Sequence, residues 1–173
     1  PYGAWTSPIT SKSITANTVR LSDVTYCNGH VYWLEMRPKE GGRNVLCRLL
    51  PSVENSVVEE VTPPESNVRT RVHEYGGGAF VLGKSLKEET VIFYSEFVSQ
   101  RLCRVMSDTT STSSNSMPIT PDTTNYRYAD GVITPDGKIM YCIREDHTNP
   151  EPKYVVNELV SINLEDGTMN VIA

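Results

Sequence analysis

Between Asn67 and Phe80 the chain reads NVRTRVHEYGGGAF, which gathers Arg69, Arg71, His73, Glu74 and Tyr75 ahead of three consecutive glycines. Three chemistries suggest themselves, and the spacing argues against each. A zinc site of the HExxH kind needs a second histidine one helical turn on, but His73-Glu74 runs into Tyr75-Gly76-Gly77. A phosphate-cradling loop needs a lysine and a Ser/Thr at the start of a helix, whereas Gly76 to Gly78 leads into the strand-like Ala79-Phe80-Val81. A nucleophile elbow needs G-x-S-x-G at a strand-to-helix turn, and the sequence contains none. The other two histidines are poorly placed for catalysis: His30 sits in a hairpin beside Asn28-Gly29, and His147 lies in a proline-rich loop. The reading is no catalytic residue, no metal and no cofactor in this chain. What remains is recognition, because a guanidinium fork matches carboxylates and other acidic groups.

The elements that must position these residues are strands. Asn28-Gly29, the dipeptide most suited to a two-residue hairpin, separates two β-rich runs within RLSDVTYCNGHVYWLE. Further runs follow at Asn44 to Leu49 and Val57 to Val61, which makes a four-stranded meander. The pattern then recurs. VYWLE, IFYSE and IMYCI occupy a second-strand slot; LCRL, LCRV and LVSI a third; VTP, ITP and VIA a fourth. Cys103 follows Cys47 by 56 residues, and Val160 follows Cys103 by 57. A four-strand unit with a period in the fifties describes propeller blades, with a β-sandwich as the competing all-β fold. The predicted fold is therefore an all-β β-propeller fragment of about three four-stranded antiparallel blades. Residues 1–17 form an N-terminal arm with Trp5 and Pro8 as anchors, and the blades occupy 18–64, 65–122 and 123–173. SDTTSTSSNS from Ser107 reads as a loop, and Asp136-Gly137 as a tight turn. Three blades do not close a ring, so the chain is expected to be the N-terminal segment of a longer propeller; Pro1 in place of methionine agrees.

On this frame the glycine stretch is read as the inner first strand of the second blade, matched to Leu21-Ser22-Asp23-Val24 and to Tyr128-Ala129-Asp130-Gly131. Glycines there let backbones approach closely. Arg69, Arg71, His73, Glu74, Tyr75 and Asp130 then become candidates for a channel mouth or domain interface, where charges either satisfy one another or meet a ligand.

Bulk properties narrow the partners. The net charge of −5, with both signs interspersed, gives no basic footprint for nucleic acid. Apolar runs are too short to span a bilayer as helices, and the first residues lack a signal-peptide pattern. Four widely spaced cysteines without a CxxC pair read as reduced core thiols, and no Asn-x-Ser/Thr acceptor occurs, which together favour a cytoplasmic protein.

VRTRVHEYGGG and EGGRN, with VYWLEMRPKEGGRNVL, FYSEFVSQRL, RYADGVITPDGK and IREDH around them, resemble the N-terminal propeller of prolyl-oligopeptidase-family serine peptidases, in the acylaminoacyl- or dipeptidyl-peptidase-like branch. The resemblance covers nearly the whole chain; TPDG alone is unspecific, recurring in TolB-like propellers. It implies a propeller gating peptide access to a C-terminal α/β-hydrolase domain that carries the catalytic serine, aspartate and histidine. No residue here matches those three. The implied partners are a peptide substrate and that hydrolase domain. The alternative is a non-enzymatic TolB-like or protein-interaction propeller.

Overall fold

The computed structural model describes residues 3, 6–15, 18–50, 56–85, 89–106 and 115–173. Apart from one short helix, α1 (Ser11–Thr15), and two 3-10 turns at Pro38–Glu40 and Pro152–Tyr154, its regular structure is β. Sheet one holds β1 (Arg20–Cys27), β2 (His30–Arg37), β3 (Arg43–Leu50) and β4 (Val57–Glu60). Sheet two holds β5 (Phe80–Lys84), β6 (Thr90–Ser95), β7 (Leu102–Met106) and β8 (Asn115–Pro118). Sheet three holds β9 (Tyr126–Ile133), β10 (Ile139–Asp146), β11 (Val156–Asn163) and β12 (Met169–Val171). Each sheet is an antiparallel meander in sequence order. Three such sheets in succession are the blades of a β-propeller fragment. Among the described residues no helix is long and apolar enough to cross a membrane.

Turn chemistry sets the hairpins. Asn28 and Gly29 both have positive φ (51° and 83°), the conformation a two-residue turn needs to follow strand twist. Gly137 (φ 71°) closes the Thr134–Ile139 turn, and its N–H donates to the Thr134 carbonyl at 2.8 Å. The core lies between sheets. One cluster joins Tyr32, Leu34 and Leu46 of sheet one to Ile92, Tyr94 and Cys103 of sheet two. A second joins Phe93 and Leu102 to Tyr128, Met140, Cys142, Val160 and Ile162 of sheet three. All four cysteines are free thiols. Burial pushes the Cys47 and Cys103 thiols up to about 11 and that of Cys142 to about 12.

The crossing from sheet one to sheet two stitches both together. Val61 N–H donates to the Leu46 carbonyl (2.9 Å) and Val68 N–H to that of Asn44 (2.9 Å). On the other side Arg69 N–H donates to Ser95 O (3.0 Å), and Phe97 N–H to Asn67 O (3.0 Å). Residues 61–70 are thus a strap held by β3 on one side and by the end of β6 on the other.

Two details differ from the sequence reading. IMYCI is displaced by one residue: opposite Cys47, Cys103 and Val160 stand Trp33, Tyr94 and Cys142, not Tyr141. String similarity aligned the aromatic Tyr141 with Trp33, but in sheet three Met140 and Cys142 face the core and Tyr141 is exposed. The glycine stretch is not the first strand of sheet two either, since β5 begins at Phe80. Positive φ at His73 (55°), Glu74 (60°) and Gly76 (94°) turns the chain sharply before the strand. Asp23 and Asp130, by contrast, do correspond: both have positive φ, and both lie in bulges that break the pairing of their sheet's first strand. Trp5 and most of the Ser107 loop (107–114) lie outside the described residues; Pro8 is exposed, and Asn115 and Ser116 open β8.

Candidate functional site

The residues that follow the strap divide into a half that closes on sheet three and a half that faces outward. At its centre the closed half has Glu145, near the end of β10, with a side chain only 5% exposed. A carboxylate so buried needs partners. Oε1 accepts the His73 backbone N–H at 2.7 Å, with His73 Nδ1 at 3.4 Å; Oε2 lies 2.9 Å from His147 Nε2 and 3.9 Å from Arg127 Nη1. Arg127 then reaches back, donating to the Arg71 carbonyl (3.0 Å) and to Glu74 Oε1 (2.8 Å). That contact with the Arg127 guanidinium holds the Glu74 carboxyl below the usual carboxylate range. These groups line a cavity of about 360 Å3 with Pro150, Pro152 and Asn157. Among the described residues no group of three or more His, Cys, Asp or Glu is arranged to hold a metal.

The glycines complete the joint. Gly78 N–H donates to Asp130 Oδ1 (2.7 Å), and Asp130 N–H donates to the Gly78 carbonyl (2.9 Å). A Cβ on Gly77 would stand 2.8 Å from Asp130 Oδ2 and 3.0 Å from the Ala129 Cβ, so only glycine admits this approach of the segment to β9. Close approach was expected of these glycines; the partner is the neighbouring sheet's bulge.

The outward half is different. Arg69 and Arg71 set their guanidiniums 4.9 and 4.4 Å from the Phe97 ring centroid, a cation–π contact with each. The loop carrying Phe97 is fixed by Glu96, whose Oε2 accepts the Val98 and Ser99 N–H groups (2.9 and 2.8 Å). Gln100 fixes it from the other side, with Oε1 accepting the Arg71 N–H at 2.9 Å. Neither arginine has an ion pair among the described residues. Tyr75, at the tip of the turn, is 98% exposed. Beside them, between sheets one and two, a second cavity of about 590 Å3 is lined by Arg20, Asp23, Arg69, Tyr75, Gly76 and Gly77 among others.

The six candidates of the sequence therefore lie on one segment and its contact. His73, Glu74 and Asp130 are engaged in the joint; Arg69 and Tyr75 line the larger cavity, and Arg71 is exposed beside them. Sequence reasoning missed Glu145, Arg127 and the part played by His147. His147 is 74 positions from His73, and no local motif links them.

No protein-family model matches the sequence, and neither does any curated protein. Solved structures do match. Puromycin hydrolase superposes with a TM-score of 0.79 at 30% identity, over 97% of this chain and 25% of that protein. A Mycobacterium tuberculosis puromycin-hydrolyzing peptidase gives a TM-score of 0.79 at 30% identity, over 100% of this chain and 27% of the other. A serine-to-alanine mutant of puromycin hydrolase complexed with PGG gives 0.82 at 28%, again over 100% and 27%. This chain spans about a quarter of the length of each protein. The resemblance read from its motifs stands: the chain matches a propeller segment of the prolyl-oligopeptidase family.

Proposed function

We propose that this chain is the N-terminal part of a β-propeller that stands over a C-terminal α/β-hydrolase domain and limits which peptides reach its serine nucleophile. The observation that carries the reading is similarity along 97–100% of this chain, at 30% identity, to 25–27% of proteins described as a puromycin hydrolase and a puromycin-hydrolyzing peptidase. In this reading Arg69, Arg71 and Tyr75 edge the opening through which peptide passes. His73, Glu74 and Asp130 hold that edge in shape through Glu145, Arg127 and the glycine joint. The chemistry itself belongs to the hydrolase domain, where a serine, its base and an oxyanion hole perform acyl transfer. A cytoplasmic setting fits the four free thiols.

The test uses the full-length polypeptide. Its sequence should contain a G-x-S-x-G strand-turn-helix. Its kcat/KM should fall steeply as aminoacyl and acyl-peptide reporters lengthen from two residues toward a folded protein. Absence of that motif, or equal cleavage of short peptides and folded substrates, would overturn the reading. The first of those outcomes favours a non-enzymatic TolB-like or protein-interaction propeller.

A further inference from the structure

The two cavities occupy similar places, each between consecutive sheets, yet their charges are treated in opposite ways. In the cavity between sheets two and three every charged group has a partner: Arg127 with Glu74, and Glu145 with His73 and His147. In that cavity the charged side chains are turned onto one another rather than left open to a ligand. In the cavity between sheets one and two, Arg20 and Arg69 have no carboxylate partner among the described residues. Arg20 occupies in sheet one the place of Arg127 in sheet three. The cross-strand partner of Arg20 is Met36, where Arg127 has Glu145, so the acid opposite the arginine in the second cavity is replaced by a thioether in the first.

The remaining lining is specific. Asp23 sits in the β1 bulge with Oδ2 accepting the Ser22 hydroxyl at 2.9 Å, the only acidic side chain lining this cavity among the described residues. Leu34, Met36, Val68 and Ala79 supply apolar wall, and Gly41, Gly42, Gly76 and Gly77 leave backbone uncovered. Stacking on Phe97 fixes the Arg69 guanidinium while its N–H groups remain available, so little side-chain freedom is lost when it binds. At 590 Å3 the cavity lies within the span of small-ligand sites, about 300–1,000 Å3.

We infer that this cavity binds a short peptide with free ends, its carboxylate held by Arg20 and Arg69 and its ammonium directed to Asp23. Two cations and one anion in a single concavity match a zwitterion. A polyphosphate would set several negative charges against Asp23 with two guanidiniums to meet them, and a purely cationic ligand would face both arginines. The site deepens the gating reading and rests on it for its place, since Arg69 and Tyr75 also edge the proposed opening, but binding there requires no hydrolase domain.

The experiment is isothermal titration of the full-length protein at pH 7 with triglycine, triglycine amide and N-acetyl-triglycine. Any serine nucleophile is first blocked by an organophosphonate, so that neither turnover nor occupancy of a hydrolase site contributes. Triglycine should bind. Removing its carboxylate as the amide should weaken binding about tenfold or more, the scale of a hydrogen-bonded charge. Arg69→Gln should produce a similar loss for triglycine and little further loss for the amide. Asp23→Asn should weaken triglycine while leaving N-acetyl-triglycine unchanged. No binding of triglycine, or equal affinity for triglycine and its amide, overturns the site; the latter comparison needs no variant to fold. Hydrolysis measured on unblocked protein reports separately on the gating reading, so either can fail without the other.

Discussion

Glu145→Ala isolates the joint. The wild-type carboxylate is 5% exposed and receives the His73 N–H at 2.7 Å and His147 Nε2 at 2.9 Å. Two hydrogen bonds to a charged group contribute about 1.5–3 kcal/mol each, so their simple sum is about 3–6 kcal/mol. That sum needs reduction, because the His73 side chain is 53% exposed and water can reach its turn once the acceptor is gone. The His73–Glu74 turn, with both residues in left-handed backbone, also loses the acceptor that holds it. A net loss of about 2–4 kcal/mol is expected, close to that for breaking a buried pair by removing one member. Glu145→Gln keeps an amide oxygen for the His73 N–H and should cost about half as much. The assay is urea unfolding followed by circular dichroism on the full-length protein, with the pair His147→Ala and Glu145→Ala/His147→Ala completing a double-mutant cycle. A coupling of about 1 kcal/mol or more is expected for residues in contact. A Glu145→Ala loss under about 0.5 kcal/mol, the usual range for an uninvolved surface site, would refute the joint. So would strict additivity in the cycle.

Further outcomes follow from single features. Gly137→Ala should destabilise by about 2–4 kcal/mol, since φ is 71° and the added Cβ falls on the Lys84 carbonyl oxygen; an unchanged Tm would count against the contact between these turns. With iodoacetamide at pH 8 and peptide mapping, Cys47, Cys103 and Cys142 should stay protected while Cys27, the partly exposed one of these four, reacts, whereas all four should react in denaturant. Rapid reaction of a second native thiol would contradict the packing. Because burial raises these three thiols from 9.0 to about 11–12, their stabilising contribution is complete below pH 9 and is lost as pH rises through 11–12. Glu74 behaves oppositely: its carboxyl is lowered from 4.5 by Arg127, so its contribution is present above pH 4.5 and lost as pH falls. Glu74→Gln should therefore differ from wild type at pH 7 and converge with it in acid; a difference that persists at pH 2 would show that Glu74 acts by packing instead.

Local rules read well from this chain wherever a turn or an alternating run fixed the outcome. Asn28-Gly29 and Asp136-Gly137 each specify their turn by the backbone they tolerate, and the strands that follow them alternate in burial at Tyr32 and Leu34 and at Met140 and Cys142. The repeat was legible because each blade must fill the same slots between its neighbours. It failed by one residue at IMYCI because similarity of letters does not report which side of the strand a residue takes. Glu145 was hidden for a related reason. Strand alternation that buries Met140 and Cys142 sends residue 145 to the other face, where an acid is expected in water. It is buried by the turn at residues 71–75, part of another sheet's approach, and nothing within IREDH records that turn. The candidate residues on the segment itself were legible as a group because their spacing is local; the distinction between engaged and available charges was not, because it depends on partners 52 to 72 positions away.

That distinction gives the Asn67–Phe80 segment two complementary parts. A guanidinium on a surface turn is normally a poor anchor, since ordering both turn and side chain opposes binding. Here the strap bonds to Asn44 and Ser95 fix the backbone at one end, and Glu145 with Asp130 fixes it at the other. Phe97 then fixes the guanidiniums of Arg69 and Arg71 between those anchors. His73 and Glu74, the pair most suggestive of catalysis in the sequence, are consumed in holding the segment. The arginines are free to act because their neighbours are not. The joint of mutually engaged charges and the proposed recognition edge, where Arg69 and Arg71 have no ion pair among the described residues, therefore share one segment, and the glycines after them set how closely it can lie against the next blade.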